Sequence, residues 1–272
     1  MRAMASLNPR KNRAFTFLTL VIAAIAITLW LIFTPSGLEG KMRTTGYAVC
    51  HQLESHSIDF QGRFLPLCAR CTGMYFGTLV SLALLQKRKK AAGVPSKSLR
   101  AILILFLVIF IVDGVNSSLG FVSGLPQLYP PSNWLRLITG FLMGIVIANL
   151  LIVLWHQTWW KQASSLPALS GWLHLGSIVL ANGIADILIW LRVPFLFYPV
   201  AFLSTMTILV LLSMIYCLIW IIIFKKENSF ETYGEGLRFI FAGLATAAIQ
   251  IGLLDLIRYR LTGSWQSFSG FF

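Results

Sequence analysis

Acidic residues are scarce in this chain: nine Asp and Glu stand against 22 Lys and Arg in 272 residues. Charge of either sign is also scarce, at 11%, which excludes an ordinary water-soluble domain, where about a quarter of residues are charged. There is no P-loop, no glycine fingerprint for a dinucleotide, no serine nucleophile elbow and no H-E-x-x-H run. ATP-driven work and the commonest hydrolase classes are therefore unsupported. Cysteine is rare as well, with four in the whole chain.

What fills the sequence is apolar, at 57% hydrophobic residues and a mean hydropathy of +0.78. Lipid is the implied solvent. A surround without water forces each backbone polar group to pair within its own segment, so apolar runs of about 20 residues must be helical. Seven such runs are read, at approximately 14–34, 65–86, 99–120, 134–155, 169–191, 199–224 and 237–257. The expectation is an all-α polytopic transmembrane bundle forming a single domain over 1–272. The second run has a short apolar core, and six spans with a re-entrant piece is the alternative. The first run exceeds the 7–15 residues of a signal-peptide core and is read as a retained anchor.

The net charge of +13 does not point to nucleic acid, because the basic residues sit in short clusters between apolar runs rather than along one polar face. They read as topology signals and contacts with anionic lipid. Arg2, Arg10, Lys11 and Arg13 precede the first run, Lys87 to Lys90 with Lys97 and Arg100 follow the second, and Lys225, Lys226 and Arg238 follow the sixth. Alternation puts all three clusters on one side. This expects a cytoplasmic N-terminus in the cell (inner) membrane, with the 35–64 connection and the uncharged Phe121 to Asn133 loop on the non-cytoplasmic side.

Gly73 with Gly77 and Gly140 with Gly144 form two small-xxx-small faces suited to close helix packing. A weaker echo is the G-x-x-D spacing of Gly183 to Asp186 and of Gly252 to Asp255, followed by Arg192 and Arg258 respectively.

Three of the four cysteines fall within 22 residues, Cys50, Cys68 and Cys71, with His51 and His56 in the same stretch. Pro66 is expected as an early helical residue, setting Cys68 and Cys71 on one face in the first turns of the second span. There the helix N-terminus and Arg70 favour thiolate over thiol. A metal reading takes Cys50, His51 (or His56), Cys68 and Cys71 as a Cys₃His set suited to zinc, and less specifically to an iron–sulfur centre. Adjacent residues seldom share one ion, so His51 is alternatively a supporting or catalytic group. A redox reading takes Cys68 and Cys71 as an exchanging pair with Cys50 as partner, and a plain disulfide is the third option. Cys217 reads as a buried small hydrophobe, and His156 and His174 as packing or interfacial residues.

The run Cys50-His51-Gln52, then Arg63, Leu67-Cys68-Ala69-Arg70-Cys71-Thr72-Gly73, Asp113-Gly114 and Asn133-x-x-Arg136-x-x-Thr139-Gly140 resembles the domain of unknown function 2085 family of prokaryotic membrane proteins. The resemblance covers about 47–155, a Cys/His-containing core, and leaves 165–272 as additional helices. It implies a membrane location and marks those residues as a shared set. It brings no activity.

Asp113, Asp186 and Asp255 lie inside apolar spans, where an ionised carboxylate is expensive. The assigned topology places all three near the outer ends of their helices, at the depth of Arg70, Asn133 and Arg136. The expectation is an outward-opening polar cavity beneath the Cys/His site, holding a small ligand or lipid headgroup. The competing expectation is structural ion pairs, Asp113 with Arg136, and Asp186 or Asp255 with Arg192 or Arg258. Three functions follow: a zinc-site protein, a thiol-disulfide or quinone-linked oxidoreductase, and a carrier for a small molecule, lipid or ion.

Overall fold

A computed structural model describes residues 9–120 and 126–265, with side chains from 13 onward. Among them, six helices are long and apolar enough to cross a membrane, and a seventh apolar helix is shorter. In chain order they are α1 (Pro9–Phe33), α3 (Ala69–Leu85), α4 (Lys97–Leu119), α5 (Asn133–Trp159), α6 (Trp172–Trp190), α7 (Phe197–Ile223) and α8 (Leu237–Thr262), with α2 (Gly37–Tyr47) as a short helix outside this set. The architecture is the all-α polytopic bundle expected. Its outward faces confirm the solvent: α4 exposes Ile104, Leu105, Val108, Ile111, Val112 and Val115, a surface that only lipid covers without penalty.

Helix α3 has 17 residues, about 25 Å at 1.5 Å per residue, which is less than the roughly 30 Å hydrocarbon core. It tolerates this because it is the hub of the bundle, packed on α5, α6 and α7, so neighbours rather than lipid surround it. The α3–α5 contact is backbone on backbone. A Cβ on Gly140 would stand 2.3 Å from the Arg70 carbonyl oxygen, and one on Gly73 2.3 Å from that of Leu137. The glycine pairs are therefore packing residues, as their spacing suggests. Gly140→Val is expected to cost at least about 1–3 kcal/mol, because neither partner is a side chain that can swing away. Gly183→Ala, where an added Cβ meets nothing within 4 Å, is expected to leave the thermal midpoint within a few degrees. Equal midpoints for the two variants would contradict the close packing.

The remaining elements sort to the two ends of the bundle. At one end β3 (Ala91–Gly93) pairs in parallel with β4 (Ser164–Pro167), Lys161 N–H donates to Phe230 O, and Phe15 of α1 packs on Phe224. The basic residues 87–90, 225 and 226 therefore share a face with the start of α1. Arg2 lies outside the described residues, and Arg10 and Lys11 are described only in backbone. At the other end lie α2 and an antiparallel hairpin of β1 (Ser57–Phe60) and β2 (Arg63–Cys68). Tyr47 there bonds Thr262 at the end of α8, and Asn133 at the start of α5 reaches Ser55 O and Ser57 O. In the uncharged 121–133 connection, residues 121–125 lie outside the described residues. The Leu128 and Tyr129 backbone is tied to Asn116 at the hairpin end.

The hairpin corrects one local expectation. Residues 65–68 belong to β2 rather than to the second span, and Pro66 is a strand residue. The reason is a two-residue turn at Gln61 and Gly62, both with positive φ (56° and 85°), closed by the Gly62 N–H on Asp59 Oδ1. Such turns join right-twisted strands, and Ile58, Phe60, Leu65 and Leu67 bury their side chains beneath them.

Candidate metal centre at the hairpin end

Cys68 is the last residue of β2 and the N-cap position of α3, with extended backbone (φ −61°, ψ 158°). Cys71 follows in the first turn. Cys50 arrives from elsewhere in the chain, just beyond α2, where its N–H closes that helix on Gly46 O at 2.8 Å. A Cβ on Gly46 would meet Pro66 O at 2.7 Å, so only glycine lets α2 lie this close to β2. The sulfurs of Cys50, Cys68 and Cys71 all lie within 4.8 Å of one another. All four cysteines are free thiols.

Several side chains fix the Cys50 loop. Gln52, with φ 55°, donates its amide to Arg43 O and Pro66 O, both at 2.7 Å. Arg258 of α8 donates to Tyr47 O and Cys50 O, both at 2.5 Å, and to His51 O at 3.3 Å, while stacking on the Tyr47 ring at 3.8 Å. A half-buried guanidinium that donates to carbonyls holds a loop as a clamp would. Composition gives no sign of this role: the competing ion-pair expectation sets Asp186 or Asp255 against Arg192 or Arg258, and Arg258 turns its guanidinium to the cysteine loop.

The sulfurs share charge unequally. Cys68 and Cys71 donate to Cys50, followed by a smaller contribution from His51, and these hold the Cys50 thiol well below its ordinary range. The bond to Cys50 pushes Cys68 up to about 12. One thiolate cradled by two thiols is a ready site for a soft cation, which would take all three as thiolates.

A chain of polar groups leads away from the sulfurs. His51 Nδ1 is 3.9 Å from Cys50 Sγ, His51 Nε2 is 3.1 Å from His56 Nδ1, and His56 Nε2 is 3.2 Å from Arg136 Nη2. Arg136 also donates to Asn133 Oδ1 at 2.8 Å. Burial first, and then the positive Arg136, lower the His56 pKa to about 4. A pH dependence follows. The unfolded histidine takes up its proton near 6.5, whereas the folded one takes it up only near 4. The contribution to stability is therefore complete above about pH 6.5 and lost as pH falls toward 4. Thermal midpoints in detergent should fall across that window and fall less in His56→Gln; parallel curves for both proteins would refute the assignment.

Asp113 is 1% exposed and pairs with Arg70 rather than Arg136: Arg70 Nη2 lies 2.5 Å from Oδ2 and Nε 3.1 Å from it. Thr139 donates to the same oxygen, Tyr129 O–H donates to Oδ1, and Arg70 reaches Ser117. The pairing differs from the expected one because α3, not the start of α5, presents its cation to this face of α4. Asp255 accepts from the Trp30 indole at 2.7 Å, and Asp186 is buried on α6. Arg70 with Asp113 and Arg136 with Asn133 thus lie near one another at the hairpin end, Thr139 bonding both Asp113 Oδ2 and Arg136 O, whereas Asp186 is buried on α6 and Asp255 stands against α1. Cys217 and His156 are buried, His156 bonding Ala91 O at 2.8 Å, and His174 contacts Ser170.

Comparison with known proteins adds a lineage and no chemistry. Residues 50–150 match the family described as predicted membrane protein, domain of unknown function 2085. An uncharacterized protein of Methanocaldococcus jannaschii is 30% identical over 116 residues, 42% of this chain and 68% of that one. Another uncharacterized protein, from Methanothermobacter thermautotrophicus, is 31% identical over 111 residues, 40% of this chain and 88% of that one. No solved structure matches. The matched stretch contains the three clustered cysteines, both site histidines, Arg70, Asp113 and Arg136, and the chain belongs to this family of predicted membrane proteins.

Proposed function

We propose that this integral membrane protein holds one zinc ion on Cys50, Cys68 and Cys71, at the non-cytoplasmic border of the cell membrane. The observation that carries the reading is the meeting of three sulfurs, from two separated stretches, within 4.8 Å. Tetrahedral zinc with bonds of about 2.3 Å sets its sulfurs about 3.8 Å apart, so the cluster closes onto an ion by contracting about 1 Å or less. Three soft thiolates and no required redox change favour zinc over harder divalent ions.

His51 is the fourth residue of the site, and hydrogen-bond order supports the supporting role over direct ligation. A guanidinium only donates, so His56 Nε2 accepts from Arg136, His56 Nδ1–H donates to His51 Nε2, and His51 carries its proton on Nδ1 toward Cys50. The Leu53 amide, 3.4 Å from the same Nδ1, is the contact given up, because a nitrogen that carries the proton cannot also accept one. A ring that donates to a thiolate tunes the metal without binding it. The fourth position is then open to water or a small ligand, as in zinc sites that do chemistry.

Orientation rests on the basic face. The clusters at 87–90 and 225–226 lie opposite the cysteines, and the positive-inside rule assigns that face to the cytoplasm. Elemental analysis of the purified protein tests the reading: one zinc per chain is expected. A metal-free protein whose Cys50, Cys68 and Cys71 exchange between thiol and disulfide under mild reductant would replace it with the oxidoreductase reading, which the low Cys50 pKa beside two thiols favours.

A further inference from the structure

A groove of about 880 Å³ runs between α1 and α8, walled by Ile25, Leu29, Trp30, Gly252, Asp255 and Tyr259 among other residues. It lies apart from the cysteines, although α8 serves both: Arg258, three residues beyond Asp255, clamps the Cys50 loop. The walls are mostly apolar; Thr34 and Arg260 stand near the helix ends, and there is one deep exception. Asp255 is 2% exposed; its Oδ2 accepts from Trp30, and its Oδ1 has no hydrogen-bond partner among the described residues. A buried carboxyl oxygen left unpaired against hydrocarbon is costly.

Depth narrows what can complete that oxygen. Helix α8 has 26 residues, about 39 Å, against a hydrocarbon core of about 30 Å. Asp255 stands seven residues before Thr262, about 10 Å below the helix end, and so roughly 6 Å inside the core when the helix is centred. A phospholipid keeps its charged groups above the ester level and does not reach there. The complement is an uncharged polar head that lies within the hydrocarbon. Aromatic rings line the same end of the groove, Tyr259 stacked on Trp265 at 4.9 Å and 29° beside Trp30, and flat walls favour a flat head.

We propose that this groove binds an isoprenoid quinone or its quinol, the ring held among Trp30, Tyr259 and Trp265 with one ring oxygen on Asp255 and the tail along α1 and α8. A carboxyl serves either redox form, accepting from a quinol hydroxyl when ionised and donating to a quinone oxygen when protonated. The volume falls in the range of small-molecule sites, about 300–1,000 Å³. The assignment is one of binding and stands independently of the metal centre.

Gly252 supplies the test. A Cβ there meets only Trp30 Cδ1, at 3.9 Å, so Gly252→Phe can fill the groove without displacing backbone. The full chain in phosphatidylcholine nanodiscs is titrated with a decyl-tailed benzoquinone, reading tryptophan quenching. Saturable binding at one site is expected, abolished by Gly252→Phe and weakened about tenfold by Asp255→Leu, the scale of one lost hydrogen bond to a charged or buried group. Free-thiol count and thermal midpoint of Gly252→Phe should match the parent, which separates blockage from misfolding. Linear, non-saturable quenching in the parent, unchanged binding in Gly252→Phe, or equal displacement of the quinone by dioleoylglycerol would each overturn the proposal.

Discussion

Cys68→Ser is expected to reduce bound zinc from one per chain to less than about a tenth, measured by elemental analysis after dialysis against a weak chelator. The size of the effect follows from coordination. Removing one of three protein ligands leaves two thiolates and solvent, and a serine hydroxyl does not deprotonate near neutral pH to replace the third. Cys68 also anchors the arrangement, since its N–H donates to Cys50 Sγ at 3.3 Å and its backbone is the hinge from β2 into α3. Cys217→Ser is the control, because Cys217 is buried in α7 outside the cluster, and it should retain the full ion. His51→Asn is expected to lower affinity about 10–100-fold while leaving the stoichiometry at one, as loss of a hydrogen bond to a metal-binding thiolate does. Zinc retained by Cys68→Ser would end the metal reading.

The second large effect concerns the buried ion pair. Asp113→Leu leaves the Arg70 guanidinium, its side chain 19% exposed, with Ser117 and the backbone carbonyl of residue 113 as its acceptors among the described residues. Breaking a buried pair by removing one partner costs about 3–5 kcal/mol. Most of that is the uncompensated charge, so the double variant Arg70→Met with Asp113→Leu should recover much of the loss. Chemical unfolding in mixed micelles compares the three proteins. A double variant as unstable as the single one would mean that Thr139 and Tyr129, both donors to Asp113, carry the stability instead, and the pair would not be the dominant contact.

The outcome for Asp113 shows where reading along the chain runs out. Its burial was legible, because a carboxylate in an apolar run must be satisfied inside the protein. Its partner was not: Arg70 and Arg136 lie at similar depth, and the choice depends on which of the two side chains reaches Asp113 on α4, a helix that itself packs on α5. The partner of Arg258 is open in the sequence for the same reason. A spacing of three residues puts Asp255 and Arg258 on adjacent helix positions, but Trp30 of α1 and the carbonyls of 47, 50 and 51 compete for them. The hairpin was missed because its strands are short and end in a cysteine motif that also starts a helix. Gln61-Gly62 between two alternating apolar stretches was the available signal.

The sequence by itself determined the solvent, the long apolar helices and the charge contrast between the two ends of the bundle. Those properties follow from local quantities, run length, charge placement and the backbone's need for partners in lipid, and neighbours elsewhere in the chain cannot change them. Only the tertiary structure decided that Cys50 crosses 18 positions to meet Cys68, that Arg70 takes Asp113, and that Asp255 faces a groove rather than the cysteines. Each of these is a choice among several chemically adequate partners. It is settled by which helix faces come together, here by the glycine contact that presses α3 onto α5 and by the clamp of Arg258 on the loop that follows α2.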